Sequence, residues 1–393
     1  MSKKRIAVIG KGTAGSQSVI HFARFFPDTE IVWYFDPNRP AQSVGEGATL
    51  ELPRNLYNNL GFFHEDLKKV NGTFKTGIYK ENWGKKNDAF FHHFPPPQTS
   101  YHFSATELQD YIYLKMKDKV KIVEKDVDYS NVDASFILNA SGKPKSYNDF
   151  VESQYIPVNS AYVTQCYWDY PRFDYTFTLA RKHGWVFGIP LQNRFSVGYL
   201  YNNKFSQEED LKEELEEIFE QYSLSPDPKT NSLSFNNYYR KINYENGGSI
   251  VHNGNASFFL EPLEATSIGT MDRIQRAAFD IWTGAITSTQ ANLAYSRLMS
   301  QLELIIMLHY AAGSKFDTEF WNFAQDRGIQ KIKDMSSDKE LKHMYQMIKN
   351  IDEMRFAPTD EIVPDYGQWW SGAFIQNLHG LGIHDTMEEM LRI

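Results

Sequence analysis

Apolar and polar positions follow two rhythms along the chain: short β-like runs set between polar stretches in the first half, and helical spacing through the last third. Residues 5–9 and the apolar runs at 31–35 and 134–138 have the length and composition of buried strands. Residues 185–189 and 195–201 predict antiparallel strands. The stretch 206–222 opens on a capping-box pair, Ser206 and Glu209, and sets Leu211, Leu215, Ile218 and Phe219 on one helical face, which makes its acidic run a solvated back. Residues 271–308 are rich in helix formers, and 337–354 repeats that pattern. Pro95-Pro96-Pro97 and residues 223–232 read as loops. No repeat with a period of about 20 to 50 residues is present, which argues against a solenoid or propeller.

The first strand runs into Gly10-Lys11-Gly12-Thr13-Ala14-Gly15, and Val19, Ile20, Ala23 and Phe26 then mark a helix face. Strand, glycine turn and helix together aim backbone N–H groups at a pyrophosphate, whereas the glycine spacing alone is a weak signal. A second strand ends in Asp36, about 20 residues beyond the glycines, where a carboxylate accepts hydrogen bonds from an adenosine ribose and disfavours a 2'-phosphate. The alternative is a glycine turn with no ligand. No second turn of this kind occurs, so a single dinucleotide site is expected. If the cofactor is flavin, the reduced form must come from another enzyme; an NAD dehydrogenase stays open, although no paired acid–base signature for hydride transfer is visible.

Composition narrows the classes further. The 393 residues, 41% hydrophobic and 23% charged, describe a folded chain long enough to bury a large core. A net charge of -8 opposes binding to nucleic acid or anionic lipid and favours small-molecule chemistry. Cys166 is the only cysteine, which excludes intrachain disulfides, zinc ribbons and iron–sulfur clusters and fits a reducing cytoplasm. No signal-peptide pattern precedes the first strand, and no apolar run approaches the roughly 20 residues of a membrane span. His92, His93 and His102 lack metal-ligand spacing, so no metal is assigned. The 8 Trp, 23 Tyr and 28 Phe serve either a ring-rich core or pockets for flat ligands.

Several segments carry a resemblance that spans most of the chain. Val44-Gly45-Glu46-Gly47-Ala48-Thr49, Ile137-Leu138-Asn139-Ala140-Ser141-Gly142, Gly184-Trp185-Val186-Phe187-Gly188-Ile189-Pro190-Leu191, Phe259-Leu260-Glu261-Pro262-Leu263-Glu264-Ala265-Thr266-Ser267-Ile268, and Thr73-Phe74-Lys75-Thr76-Gly77-Ile78 followed by Trp83 are similar to motifs of the flavin-dependent halogenases of the tryptophan halogenase family. Phe316-Asp317-Thr318-Glu319-Phe320-Trp321 also resembles that family, without evident chemistry. The resemblance implies an α/β fold: an FAD-binding three-layer Rossmann-like core interleaved with an antiparallel substrate sheet over residues 1–290, and a helical C-terminal part over 291–393 packed on it as one module.

It implies FAD, used as FADH2 from a separate flavin reductase, with oxygen and a halide (chloride, bromide or iodide). Halide attack on the flavin hydroperoxide would release hypohalous acid, which a lysine then directs at an electron-rich aromatic substrate. Lys75 and Glu264 are the catalytic candidates, with Glu264 orienting the oxidant and taking the ring proton. A lysine suits the task because burial or a neighbouring cation lowers its pKa, giving an amine that forms a haloamine, or it stays an ammonium that hydrogen-bonds the oxidant. Gly10, Gly12, Thr13, Ala14, Gly15, Asp36, Val44, Gly45, Glu46, Ser141, Gly142, Trp185, Phe187 and Ile268 are expected at the cofactor, Thr266 and Ser267 at the halide, and His102 and Phe103 at the substrate, over which Trp369-Trp370 would close. The sequence departs from the family pattern at Phe187, where a second tryptophan is usual, and at Ala265, in place of a serine. The smaller ring predicts that bromide or iodide is used better than chloride. A flavin monooxygenase and a non-catalytic flavin-binding protein are the competing readings; assembly into a homo-oligomer stays open.

Overall fold

Ile6, Ala7, Val8 and Ile9 carry no polar side chain and are buried, Ile6 and Val8 in the main core and Ala7 and Ile9 in a smaller one across the sheet. This alternation makes Arg5–Ile9 an inner strand of a six-stranded sheet in the computed structural model, which describes residues 4–39, 45–352 and 365–392. Glu30–Phe35 and Phe136–Asn139 flank it in parallel, and Lys121–Glu124 and Ile250–His252 extend the parallel set. Parallel strands need crossovers, and helix Thr13–Phe25 supplies the first, burying Val19, Ile20 and Phe22.

The second sheet has seven strands, in the order Ser225–Ser234, Ser160–Tyr167, Arg194–Tyr201, Gly184–Pro190, Thr176–Arg181, Gly77–Glu81 and Ala89–His93. All pairs are antiparallel except that between Thr176–Arg181 and Gly77–Glu81. Trp185, Phe187 and Ile189 point into the main core, while Val186 meets Leu211, Leu215 and Ile218 of helix Glu208–Gln221 on the other face. That helix begins later than its sequence predicts. Gln207 donates its backbone N–H to Asp210 Oδ2 at 2.8 Å, whereas Ser206 Oγ is occupied by His183 Nδ1 at 2.8 Å. Residues 223–232, read as a loop, are mostly an edge strand: Ser225–Ser234 pairs with Ser160–Tyr167 across an irregularity between Thr164 and Cys166. Its prolines and its exposed, polar sequence hid the pairing, and an edge position tolerates both.

A three-stranded sheet of Gly45–Gly47, Ser100–Ser104 and Thr73–Lys75 joins the two layers. The C-terminal helices Ser288–Ala312, Glu319–Asp334, Lys339–Asp352, Ser371–Leu381 and His384–Leu391 pack against them. Residue 290 falls inside the first of these helices, which is buried from Gln301 to Ala311 and carries His309 and Tyr310 into the core. Among the described residues no helix is long and apolar enough to cross a membrane.

Candidate active site

The glycine turn is shaped for a dinucleotide. A Cβ on Gly10, which has φ +106°, would meet Ala140 O at 2.1 Å, and one on Gly15 would meet Gly10 O at 2.0 Å, so both glycines permit close packing of strand, turn and helix. Gly12 and Gly142 face open space instead. No side chain caps the helix that starts at Thr13, which leaves its first N–H groups available to a phosphate. Thr13 Oγ1 donates to Glu46 Oε2 at 3.1 Å, and burial raises the Glu46 carboxyl to about 7. Asp36 stands just past the second strand with Oδ1 accepting from Asn38 N at 2.9 Å, and Arg39 Nη1 reaches across to Ser141 O at 2.6 Å. Ala14 is buried in the first helical turn and Ile268 in the helix Thr266–Thr283. Val44 lies outside the described residues. The open space, uncapped helix and ribose-side carboxylate fit FAD.

Lys75 ends the strand Thr73–Lys75, where alternation turns Phe74 outward, 43% exposed, and Lys75 inward, 0% exposed. Among the described residues its Nζ has no hydrogen-bond partner. The amine lies 5.6 Å from the centre of the Phe94 ring, and a Cβ on Gly47 would stand 3.4 Å from it, so the lysine borders the Gly45–Gly47 strand of the expected flavin loop. Burial lowers its pKa to about 8, with Glu264 opposing and Lys80 adding to the fall. His102 and Phe103 are buried on the adjoining strand. Thr73 Oγ1 donates to Pro190 O at 2.7 Å and therefore accepts from His102 Nδ1 at 3.0 Å, which leaves His102 Nε2 to accept from Thr176 Oγ1 at 2.9 Å. Burial, then Lys75, hold the His102 pKa well below the usual range, so the ring is neutral and committed to this chain.

Glu264 occupies a left-handed backbone position, φ 67°, followed by Ala265 at φ 53°, and this turn delivers it beneath the start of helix Thr266–Thr283. Its two oxygens are taken. Oε1 accepts from Lys80 Nζ and lies 3.3 Å from His309 Nε2. Oε2 accepts from Trp369 Nε1 at 2.8 Å and lies 3.1 Å from His92 Nδ1, off the line of a good hydrogen bond. Burial alone would raise this carboxyl, but Lys80 and His92 outweigh it and hold Glu264 well below the ordinary carboxylate range. His309 donates Nδ1–H to Ile305 O at 2.9 Å, and burial together with Lys80 lowers it to about 4.

The halide candidates stand next in sequence. Among the described residues, helix Thr266–Thr283 has no side-chain cap, and the buried Thr266 Oγ1 has no hydrogen-bond partner, nor has Thr49 Oγ1 nearby. Ser267 is half-buried in the first turn. An uncapped helix start with unspent hydroxyl donors suits an anion. Trp185 is fully buried and donates Nε1–H toward Glu261 Oε2 and Tyr310 Oη, each at 3.0 Å, while the Phe187 ring fills the space left by Gly198. Both rings are therefore packed into the main core.

Lys80, His309 and Asn377 belong to this site and escaped the sequence reading. Lys80 follows Ile78 on the inward face of an alternating strand, and His309 interrupts the apolar stretch of residues 304–311, which were the available signals. Asn377 left none. His92, weighed only as a metal ligand, stands at Glu264 instead.

Comparison with known proteins agrees with this architecture. The family model for tryptophan halogenase matches residues 5–150 and 143–384. Tryptophan 7-halogenase RebH of Lentzea aerocolonigenes is 21% identical over 428 residues, covering 81% of this chain and 78% of that protein. The structure of a flavin-dependent halogenase from Xanthomonas campestris superposes with TM-score 0.77 at 16% identity, over 99% of this chain and 94% of the other. That of tryptophan 6-halogenase SttH from Streptomyces toxytricini gives TM-score 0.76 at 17% identity, over 100% and 96%. With the family match running through both sheets and into the last helices, the chain belongs to the tryptophan halogenase family, the flavin-dependent halogenating enzymes.

Proposed function

We propose that this enzyme halogenates an electron-rich aromatic ring through hypohalous acid directed by Lys75, with FADH2 supplied by a separate reductase. The observation that carries this reading is the Lys75 amine: fully buried, without a hydrogen-bond partner among the described residues, and bordering the Gly45–Gly47 strand. Bound reduced FAD, with oxygen and halide, supplies the hypohalous acid. The helix start at Thr266 and Ser267 holds the halide, and the wall of Trp185 and Phe187 separates organic substrate from the flavin side.

The neutral amine is the reactive form of Lys75: among the described residues no acceptor stabilises three N–H donors there, and a pKa lowered to about 8 brings that form within reach near neutral pH. Halogen passes from hypohalous acid to the amine nitrogen, and water leaves with the displaced proton. The ring carbon then takes the halogen, and the ring proton returns to the nitrogen, so the sum is aromatic C–H plus hypohalous acid giving C–halogen plus water. Glu264 has both oxygens engaged and a depressed pKa, which makes it a fixed anion and a poor base. Its part is to set the field of the chamber.

The test supplies a flavin reductase, NADH, FAD, oxygen and each halide in turn to a panel of phenols and indoles, with mass spectrometry as readout. A halide-dependent mass shift that disappears in Lys75→Ala is expected. Oxygen incorporation without halide would identify a monooxygenase, and undiminished halogenation by Lys75→Ala would remove the lysine from the mechanism.

A further inference from the structure

The reaction just described leaves the buried Lys80 unused. Lys80 is 0% exposed, lies in the strand beside Ala89–His93, and donates to three acceptors: Glu264 Oε1, His309 Nε2 at 2.7 Å and Asn377 Oδ1. Each acceptor is fixed. His309 Nδ1–H is committed to Ile305 O, so its Nε2 can only accept, and Asn377 Nδ2 donates to Ala373 O at 2.9 Å, which turns its oxygen toward Lys80. Three acceptors match the three protons of an ammonium and exceed what a neutral amine donates. The rings of Phe90 and Trp369 lie 5.5 and 5.9 Å from the same nitrogen, a cation–π setting.

We propose that Lys80 is a positioning residue that takes up the charge of Glu264 and so leaves Lys75, the other buried lysine of the chamber, without a counter-ion. This rests on the reading of Lys75 as the halogen-carrying amine. Without Lys80, the buried Glu264 carboxylate would draw compensating charge from the ionisable groups left around it, Lys75 among them together with His92 and His309. The groups that set this balance come from every element packed there. Glu264 is faced by Lys80 and His92 from neighbouring strands, His309 from helix Ser288–Ala312 and Trp369 from the C-terminal part. Lys75 is faced by Glu264, Lys80 and His102.

The test reads Lys75 directly. Trace acetylation of the full-length protein with acetic anhydride over a pH series, quantified on the Lys75 peptide by mass spectrometry, should show a midpoint near 8 in the wild type. In the neutral variants Lys80→Met and Lys80→Gln the midpoint should rise by about one unit or more, roughly tenfold less labelling at fixed pH, while Lys80→Arg should stay within about half a unit. Lys80→Gln keeps hydrogen bonds to the carboxylate and carries the test if Lys80→Met does not fold. An unmoved midpoint in either neutral variant, with a wild-type circular dichroism spectrum, overturns the proposal. Halogenation by Lys75→Ala would instead defeat the catalytic reading and leave the labelling result intact, so the two failures are distinguishable.

Discussion

Lys75 and Lys80 are both shut away from solvent, yet among the described residues Lys80 hands its protons to three acceptors and Lys75 to none. Buried lysines are costly unless paired, so an unpaired one beside a satisfied one marks a place where stability is given up for reactivity.

Loss of the amine should therefore abolish chemistry and spare the fold. Lys75→Ala is expected to lower halogenated product by about 10²–10⁴-fold or more while flavin affinity stays unchanged. Lys75→Arg should be equally inactive, because a guanidinium stays charged and cannot act as the amine. Product mass spectra and flavin fluorescence titration check both.

The same lysine should weaken the fold at neutral pH. Its pKa of about 8 lies below the ordinary 10.5, so between those values the unfolded chain binds more protons than the folded one and stability rises with pH. Below about pH 8 the full penalty of a buried ammonium applies, worth about 3 kcal/mol. Lys75→Met should raise the melting temperature at pH 7, and its advantage should shrink as pH climbs through 8 toward 10.5. A constant advantage over that range would contradict the assignment.

Glu264→Gln should be damaging in a different way. It leaves the Lys80 ammonium buried with no anion, which costs about 3–5 kcal/mol, whereas Lys80→Met combined with Glu264→Gln should recover much of that stability. Denaturant unfolding of the two single variants and the double variant measures the coupling. Additive losses would show that the pair is not a unit.

Phe187 predicts the halide preference. On the reading that Phe187 borders the flavin at a position where the resemblance expects a tryptophan, bromide or iodide should be incorporated ahead of chloride in equimolar competition. Equal or faster chloride incorporation would defeat this expectation.

Much of this protein is written locally in its chain. The run Arg5–Ile9, the glycine turn and the face of Val19 and Ile20 announce a strand, a dinucleotide turn and a helix because backbone geometry and burial periodicity act over a few neighbours. The pair Trp185–Phe187 and the segment through Glu264 stood out only by their resemblance to family motifs. Residues that act through distant partners did not stand out. His309 and Asn377 lie 229 and 297 positions along the chain from Lys80, and nothing local says that the three converge. Only the packing of Ser288–Ala312 and Ser371–Leu381 against the strand of Lys80 decided which lysine met the carboxylate and which was left free, because a buried charge is assigned its partner by three-dimensional proximity and desolvation, quantities that a linear pattern does not contain.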